Sequence, residues 1–317
     1  MTVRRSIRTS LRAAVVAAVP LAFAAGGAHA YTLSFVDTSV VSPAQSVANA
    51  LLAGGSGISI VGGTETFVGR IGDGINANTA QSALYSNFAL TGNNGSPSVS
   101  NVDGVLLTSG VANLPTTNTD TSFDHGSVGV SAPGTGGDAD LTNILVNAGA
   151  PSSTVNDVNY ISFDFTVDDT NNNAVMAQFV FGSDEFPDQG VTDVFAVIVD
   201  GVNYAFFPDN SLVSFVTGVN AANFNANNVG SGNYAIEYDG ISNALTVIGL
   251  LNTSLTTHSI KIAIADTSDS IYDSGVFIGG LTATTTEGGG GIQVPAPATL
   301  PLFALGLAGL LRLRRRG

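Results

Sequence analysis

Tyr160-Ile161-Ser162-Phe163-Asp164-Phe165-Thr166-Val167 places Ile161, Phe163, Phe165 and Val167 on one side of an extended chain and Ser162, Asp164 and Thr166 on the other. Strict period-two alternation with aromatic and β-branched residues is the pattern of a strand with one face on a core. The same period recurs in Val175, Ala177, Phe179 and Phe181. Val194–Val199 has no polar residue, as expected of a strand covered on both faces, and Asp200-Gly201 signals a hairpin into Val202–Phe207. Val213–Val216, Tyr234–Tyr238, Ala244–Leu250, Ile260–Ala265 and Val276–Thr284 are further strand candidates. In Ile260–Ala265, the residues Ile260, Ile262 and Ile264 are expected inside and Lys261 outside. Helices are few. Ser42-Pro43 reads as an N-cap and first turn ahead of the stripe Val47, Leu51 and Leu52. Asp138–Asn147 carries Leu141, Ile144 and Leu145 on one face and meets a stop at Gly149. Many short strands joined by Gly, Asn and Asp turns predict a mainly β chain, one β-sandwich or jelly-roll-like domain with a few short helices.

Charge is segregated along the 317 residues. Of 10 basic residues only Arg70 and Lys261 lie between the two ends, whereas all 24 acids fall between Asp37 and Glu287, so this body carries a net charge of −22. Such a surface repels nucleic acid and anionic lipid, which excludes nucleic acid as a partner. The chain has no cysteine, so its stability has to come from a core, bound ions or both. It also has no tryptophan, the usual platform for stacking on sugars.

The two ends carry the remaining bases. Arg4, Arg5, Arg8 and Arg12 precede the apolar run Ala13–Ala25, and Ala28-His29-Ala30 fits a small-x-small cleavage site before Tyr31. This is the pattern of a secretory signal peptide over residues 1–30, with the Sec translocon as its partner. At the other end Val294-Pro295-Ala296-Pro297-Ala298 leads into an uncharged segment ending at Leu311, and then Arg312, Arg314, Arg315 and Arg316. Arginines resist translocation while the apolar stretch stalls in the bilayer. The order of these elements resembles the PEP-CTERM sorting signal of Gram-negative bacteria, with alanine at 296 where that family usually has glutamate. The resemblance implies export, an inner-membrane intermediate, and cleavage near the box by an exosortase-type membrane sortase that releases the protein to the cell surface or medium. An uncut membrane anchor is the alternative. The expected division is therefore a signal peptide at 1–30, a β domain at 31–285, a Gly-rich flexible linker at 286–293 and a sorting segment with a hydrophobic helix at 294–317.

Four acidic patches stand out in the body: Gly136-Gly137-Asp138-Ala139-Asp140; Phe181–Asp188 followed by Asp193; Tyr238-Asp239-Gly240; and Ile264–Ile278. With Asp103–Gly110 and Val199-Asp200-Gly201, they resemble the choice-of-anchor L domain, a module found ahead of several kinds of anchoring tail. The likeness spans most of Ser42–Ile278 and implies surface display, but no reaction. The patches also have a direct chemical reading. Calcium takes six to eight oxygen ligands, and Asp184, Glu185, Asp188 and Asp193 on one stretch and Asp266, Asp269 and Asp273 on the other supply them. Solvated turn acids are the competing reading, since Asp is common in turns for its own backbone bonding. Zinc is disfavoured, with only His125 and His258 in the body. Catalysis finds little support: Asp184 and Glu185 are adjacent and would point apart in a strand, and no G-x-S-x-G elbow occurs. The sequence thus points to an exported structural or adhesive protein stabilised by Ca2+, with no enzymatic activity. A domain that binds or cleaves extracellular polysaccharide is the alternative.

Overall fold

The structure is a computed structural model that describes residues 31–73, 79–119, 137–150, 152–190, 193–286 and 291–293. The signal peptide, the sorting segment from Val294 onward and the Asp124-His125 pair lie outside the described residues. In chain order the elements are β1 (Thr32–Phe35), α1 (Pro43–Leu51), β2 (Ile58–Ile60), β3 (Thr66–Val68), β4 (Ser82–Ser86), β5 (Ala89–Leu90), β6 (Val99–Ser100), β7 (Gly104–Thr108) and α2 (Ala139–Ala148). The second half contributes β8 (Val155–Val167), β9 (Ala174–Ser183), β10 (Val194–Val199), β11 (Val202–Asn203), β12 (Phe224–Ala226), β13 (Gly240–Ser242), β14 (Leu245–Leu250), β15 (His258–Thr267), β16 (Ser274–Thr284) and β17 (Gly291–Gln293).

Two antiparallel sheets stack face to face. One runs β1-β4-β7-β16-β9-β13-β12, with β14 also on β9 and β17 on β14; the other runs β11-β10-β15-β8-β2, with β3 also on β8. Alternation decides what lies between them. Ile161, Phe163 and Phe165 of β8, Phe195 and Val197 of β10, and Ile260, Ile262 and Ile264 of β15 meet Phe179 and Phe181 of β9, Val276 and Ile278 of β16, and Val105 and Leu107 of β7. Burying side chains of this size contributes about 1.5–3 kcal/mol each. Helix α1 closes one flank by placing Val47, Ala48 and Leu51 in the same core.

Both outer faces are covered too, which explains the fully apolar β10. Its Val194, Ala196 and Ile198 lie beneath Leu141 and Leu145 of α2. Asp138 caps α2 by accepting from the N–H groups of Asp140 and Leu141, and Gly149 ends it at φ 68°. Lys261 is not free at the surface as its outward position suggested. Its ammonium donates to Asp138 at 2.6 Å and Asp140 at 2.8 Å, so it ties α2 to the sheet. Burial opposes its charge, but the two carboxylates outweigh that and its pKa is raised. On the other sheet, Tyr85, Leu106, Val180 and Phe277 pack with Tyr31, Phe88, Tyr234, Ile236 and Tyr238.

Other expectations change in detail. Ser42 sits at φ 55° and makes no side-chain cap, so Pro43 rather than Ser42 sets the start of α1. The Asp200-Gly201 hairpin forms with both residues at positive φ, but its return strand stops at Asn203, whose side chain accepts from the Val197 and Ala205 N–H groups. Val213–Val216 makes one bridge, Phe195 to Val213, because Asn220 takes the Val216 N–H and the Ser214 carbonyl. Tyr234–Tyr238 is not a strand. The Asn227 amide donates to the Ile236 and Tyr238 carbonyls and takes the place of a partner strand, yet Tyr234, Ile236 and Tyr238 still share the buried side. The Gly-rich linker ends in β17, which pairs Gly291 to Gln293 with Ile248 to Thr246.

Candidate functional site

One end of the sandwich gathers most of the acids singled out in the sequence. Strand β10 begins just after Asp193 and β15 ends in Asp266-Thr267. Because Val194 pairs with Ala265, Asp193 and Asp266 come to face each other. On the facing sheet, Ser183 of β9 pairs with Ser274 of β16, which places Asp184 and Asp273 side by side; the Asp184 N–H donates to the Asp273 carbonyl at 3.2 Å. Glu185 follows Asp184 and feels the charges of Asp193 and Asp269. A sixth acid enters through a β-bulge. The β8–β15 register shifts between Ile264 and Asp266, and Asp157, at φ 48°, adds its charge to that around Asp266.

Burial separates the two readings of these acids. Asp157, Asp184, Glu185, Asp193, Asp266 and Asp273 are each 3 % exposed or less, so they are not solvated turn residues. Asp269 is half-buried at the rim and Asp188 is exposed, outside the cluster. Of the other patches, Asp138 and Asp140 serve Lys261 and stand apart. Asp239 joins the cluster through its N–H, which donates to Asp184 Oδ1 at 2.9 Å.

The cluster is short of donors and of positive charge. Both carboxylate oxygens of Glu185, Asp193 and Asp266, and Oδ2 of Asp184, are buried without a well-formed hydrogen bond. The Ser274 and Ser109 hydroxyls favour ionised Asp193 and Asp266, but each is engaged elsewhere: Ser274 Oγ with Ser183 Oγ at 2.8 Å, and Ser109 Oγ with the Ser274 backbone. Among the described residues ion pairs involve only Lys261 and His258, and His258 is bound to Asp200 at 2.8 Å. Burial, first, and mutual repulsion, second, therefore drive the carboxyls upward: Glu185 to about 10, and Asp193 and Asp266 well above the ordinary range. Asp184 rises for the same reasons, against the lowering effect of the Asp239 N–H.

Glycines make room for this arrangement. A Cβ on Gly110 would overlap the Asp273 carboxylate, and one on Gly275 would overlap the Tyr238 hydroxyl. The Tyr238 hydroxyl is fully buried without a hydrogen-bond partner and lies within the field of Asp184, Asp273 and Asp193. As placed, no three His, Asp or Glu side chains among the described residues are arranged to hold a metal ion. By chemistry the donor set is all hard oxygen, which suits calcium and not a soft metal, and its orphaned oxygens are those an ion would satisfy; drawing three around one ion requires side-chain rotation.

The fold and this acidic end define a mainly β sandwich domain held by packing and buried polar contacts, without disulfides. The chain belongs to the choice-of-anchor L domain family, whose sequence model matches residues 59–283. A PEP-CTERM protein-sorting motif matches residues 293–316. Together they mark an exported protein sorted to the cell surface of a Gram-negative bacterium through processing by an exosortase, a membrane protein. Comparison with curated proteins and with solved structures gives no match.

Proposed function

We propose that the acidic end of the sandwich binds calcium and that the ion locks the two sheets of a structural or adhesive surface protein. The carrying observation is the set of buried carboxylate oxygens that have no well-formed hydrogen bond and, among the described residues, no ion-pair partner. Breaking a buried charge pair by removing one partner costs about 3–5 kcal/mol, and these carboxylates lack that partner from the outset. Asp193, Asp266, Asp273 and Glu185 are the side-chain ligands in this reading, with Asp269 at the rim. Asp188 is left out because it is exposed. Export to a calcium-containing medium through an inner-membrane intermediate supplies the ion after translocation. The reading assigns no reaction to the protein. Metal analysis of the full chain, dialysed against calcium and then buffer, tests it: retained calcium supports the reading, and a metal-free chain with unchanged stability rejects it.

A second reading makes the domain a polysaccharide binder. A groove of about 440 Å³ runs between α2 and the β10–β11 hairpin, and Asn143, Asn147, Asn203 and Phe206 line it. Amides beside an aromatic ring suit sugar hydroxyls and a sugar face. Glycan-array binding that Asn143→Ala abolishes favours this reading, and an empty array removes it.

A further inference from the structure

Lys261 is the chain's only lysine, and it is not a solvated surface charge. Its side chain is 16 % exposed and that of Asp138 is 8 % exposed. Nζ lies 4.5 Å from the centroid of the Tyr160 ring, which covers one side of it. The amine donates to two carboxylates, Asp138 Oδ2 at 2.6 Å and Asp140 Oδ2 at 2.8 Å. One carboxylate suffices for an ion pair. Two of them on one sheltered amine supply both an electrophilic carbon and a carrier for its protons.

The state of Asp138 is the informative detail. As the N-cap of α2 it accepts from the Asp140 and Leu141 N–H groups, each at 3.1 Å, and both bonds fall on Oδ1. Oδ2 is left to the lysine. The two oxygens are thus divided between different tasks. Two backbone N–H groups at a helix N-terminus aimed at one carboxyl oxygen have the geometry of an oxyanion hole. They favour the charge that gathers on Oδ1 when a nucleophile adds to Cγ. Nζ is the nucleophile in reach, at most one carbon–oxygen bond farther from Cγ than from Oδ2. A swing of its four-carbon stem brings it over the carboxyl plane.

We infer that Lys261 and Asp138 condense to an amide, so that the mature protein carries a covalent cross-link between β15 and α2. The ammonium and the carboxylate react as the pair they already form. Nζ passes a proton to Asp140 and adds to Cγ. The N–Cγ bond forms and the Cγ–Oδ2 bond breaks. Oδ2 leaves as water with the proton held by Asp140 and the second proton that Nζ gives up. Asp140 returns to its carboxylate form, and no oxidant or activated donor is needed. Oδ1 remains as the amide oxygen, so the cap of α2 survives the reaction. Well-oriented partners gain an effective concentration of about 10⁵–10⁸ M, which speeds the bond-forming step, and the fold opposes hydrolysis by keeping the two ends together. Asp138 and Lys261 are 123 residues apart, so the bond closes a long loop and restrains the unfolded chain as a disulfide would, in a protein without cysteine.

Intact mass and tryptic mapping of the denatured, purified full chain test this. The wild-type chain should be lighter than its sequence requires by one water. Trypsin should then cut the body after Arg70 but not after Lys261, because an acylated lysine is not a substrate. Lys261→Arg keeps the charge and the ion pair but has no amine to acylate, and should show the full mass. Asp140→Asn removes the proton carrier and should form the bond about a hundredfold more slowly. A wild-type chain of full mass that trypsin cuts after Lys261 overturns the proposal. A water loss that persists in Lys261→Arg overturns it too, since the loss would then lie elsewhere, at an Asp-Gly step such as Asp103-Gly104. An unchanged rate in Asp140→Asn overturns the role given to Asp140.

Discussion

Chelation should make this protein less stable as the pH rises. Glu185 is 1 % exposed, faces Asp193 and Asp269, and its pKa is pushed from 4.5 to about 10. In the metal-free folded state it keeps its proton well above neutrality, whereas in the unfolded chain it gives the proton up near pH 4.5. The folded state thus binds more protons between those values, and its stability falls as the pH rises through that window. The slope is about 1.4 kcal/mol per pH unit for one group. From pH 4.5 to 7.5 that slope amounts to about 4 kcal/mol at most, shared between Glu185 and the acids it repels, a large share of the 5–15 kcal/mol typical of a domain. Asp184, Asp193 and Asp266 shift in the same direction. If calcium binds as proposed, it would substitute for the proton as the counter-charge, and the loss should vanish when the ion is present. Urea unfolding of the full chain at pH 5, 6, 7 and 8, with chelator or with millimolar calcium, measures both limbs. Glu185→Gln carries no charge and should make the chelated limb less steep, with the remaining slope due to Asp184, Asp193 and Asp266. A chelated limb that is level or rises with pH refutes the reasoning.

Four other outcomes are expected. Gly110→Ala drives a Cβ into the Asp273 carboxylate and should cost about 1–3 kcal/mol while weakening calcium binding, read by calcium titration. Phe179→Ala empties the centre of the inner core and should cost about 3–5 kcal/mol in urea unfolding, with or without calcium. Lys261→Met removes the tie to Asp138 and Asp140 and should raise amide exchange in α2 first, as hydrogen-exchange mass spectrometry would show, while calcium affinity stays unchanged. Replacing Arg312, Arg314, Arg315 and Arg316 with serine removes the charges that resist translocation, so the chain should be misplaced or left unprocessed; surface protein of wild-type mass would count against that role.

The strands that build the inner core were legible because their alternation is local and clean. Ile161, Phe163, Phe165, Ile260, Ile262 and Ile264 all face where period two puts them. The segments that misled, Val213–Val216 and Tyr234–Tyr238, have strand-like side chains but lose their backbone partners to Asn220 and Asn227, a competition that composition does not reveal. The gathering of Asp184, Glu185, Asp193, Asp266 and Asp273 at one end was legible because each flanks a strong strand. Asp188 was not separable from them, since its exposure depends on how the chain turns after Pro187. Asp157 was missed because it lies ahead of the clean alternation that starts at Tyr160, although it shares the inward parity of Ile161. Asn159 offered a clue: it shares the parity of Ile161 yet is polar, and it is fully buried against Gln81, Ser82 and Thr108. Glu237, fully buried with its carboxylate accepting from the Thr119 N–H, carried no signal in sequence because that partner lies 118 residues away.

On the calcium reading, a specific divalent ion holds the acidic end together. Thermal unfolding of the exported protein in millimolar calcium, compared with sodium at equal ionic strength, tests it most directly. An ion at about 100 times its dissociation constant adds about 2.7 kcal/mol of stability. The melting temperature should be several degrees higher in calcium than in sodium, an effect reversed by chelator and smaller with magnesium, which demands tighter octahedral geometry. Identical melting curves in calcium and sodium would contradict it and leave the buried acids as a proton-sharing network.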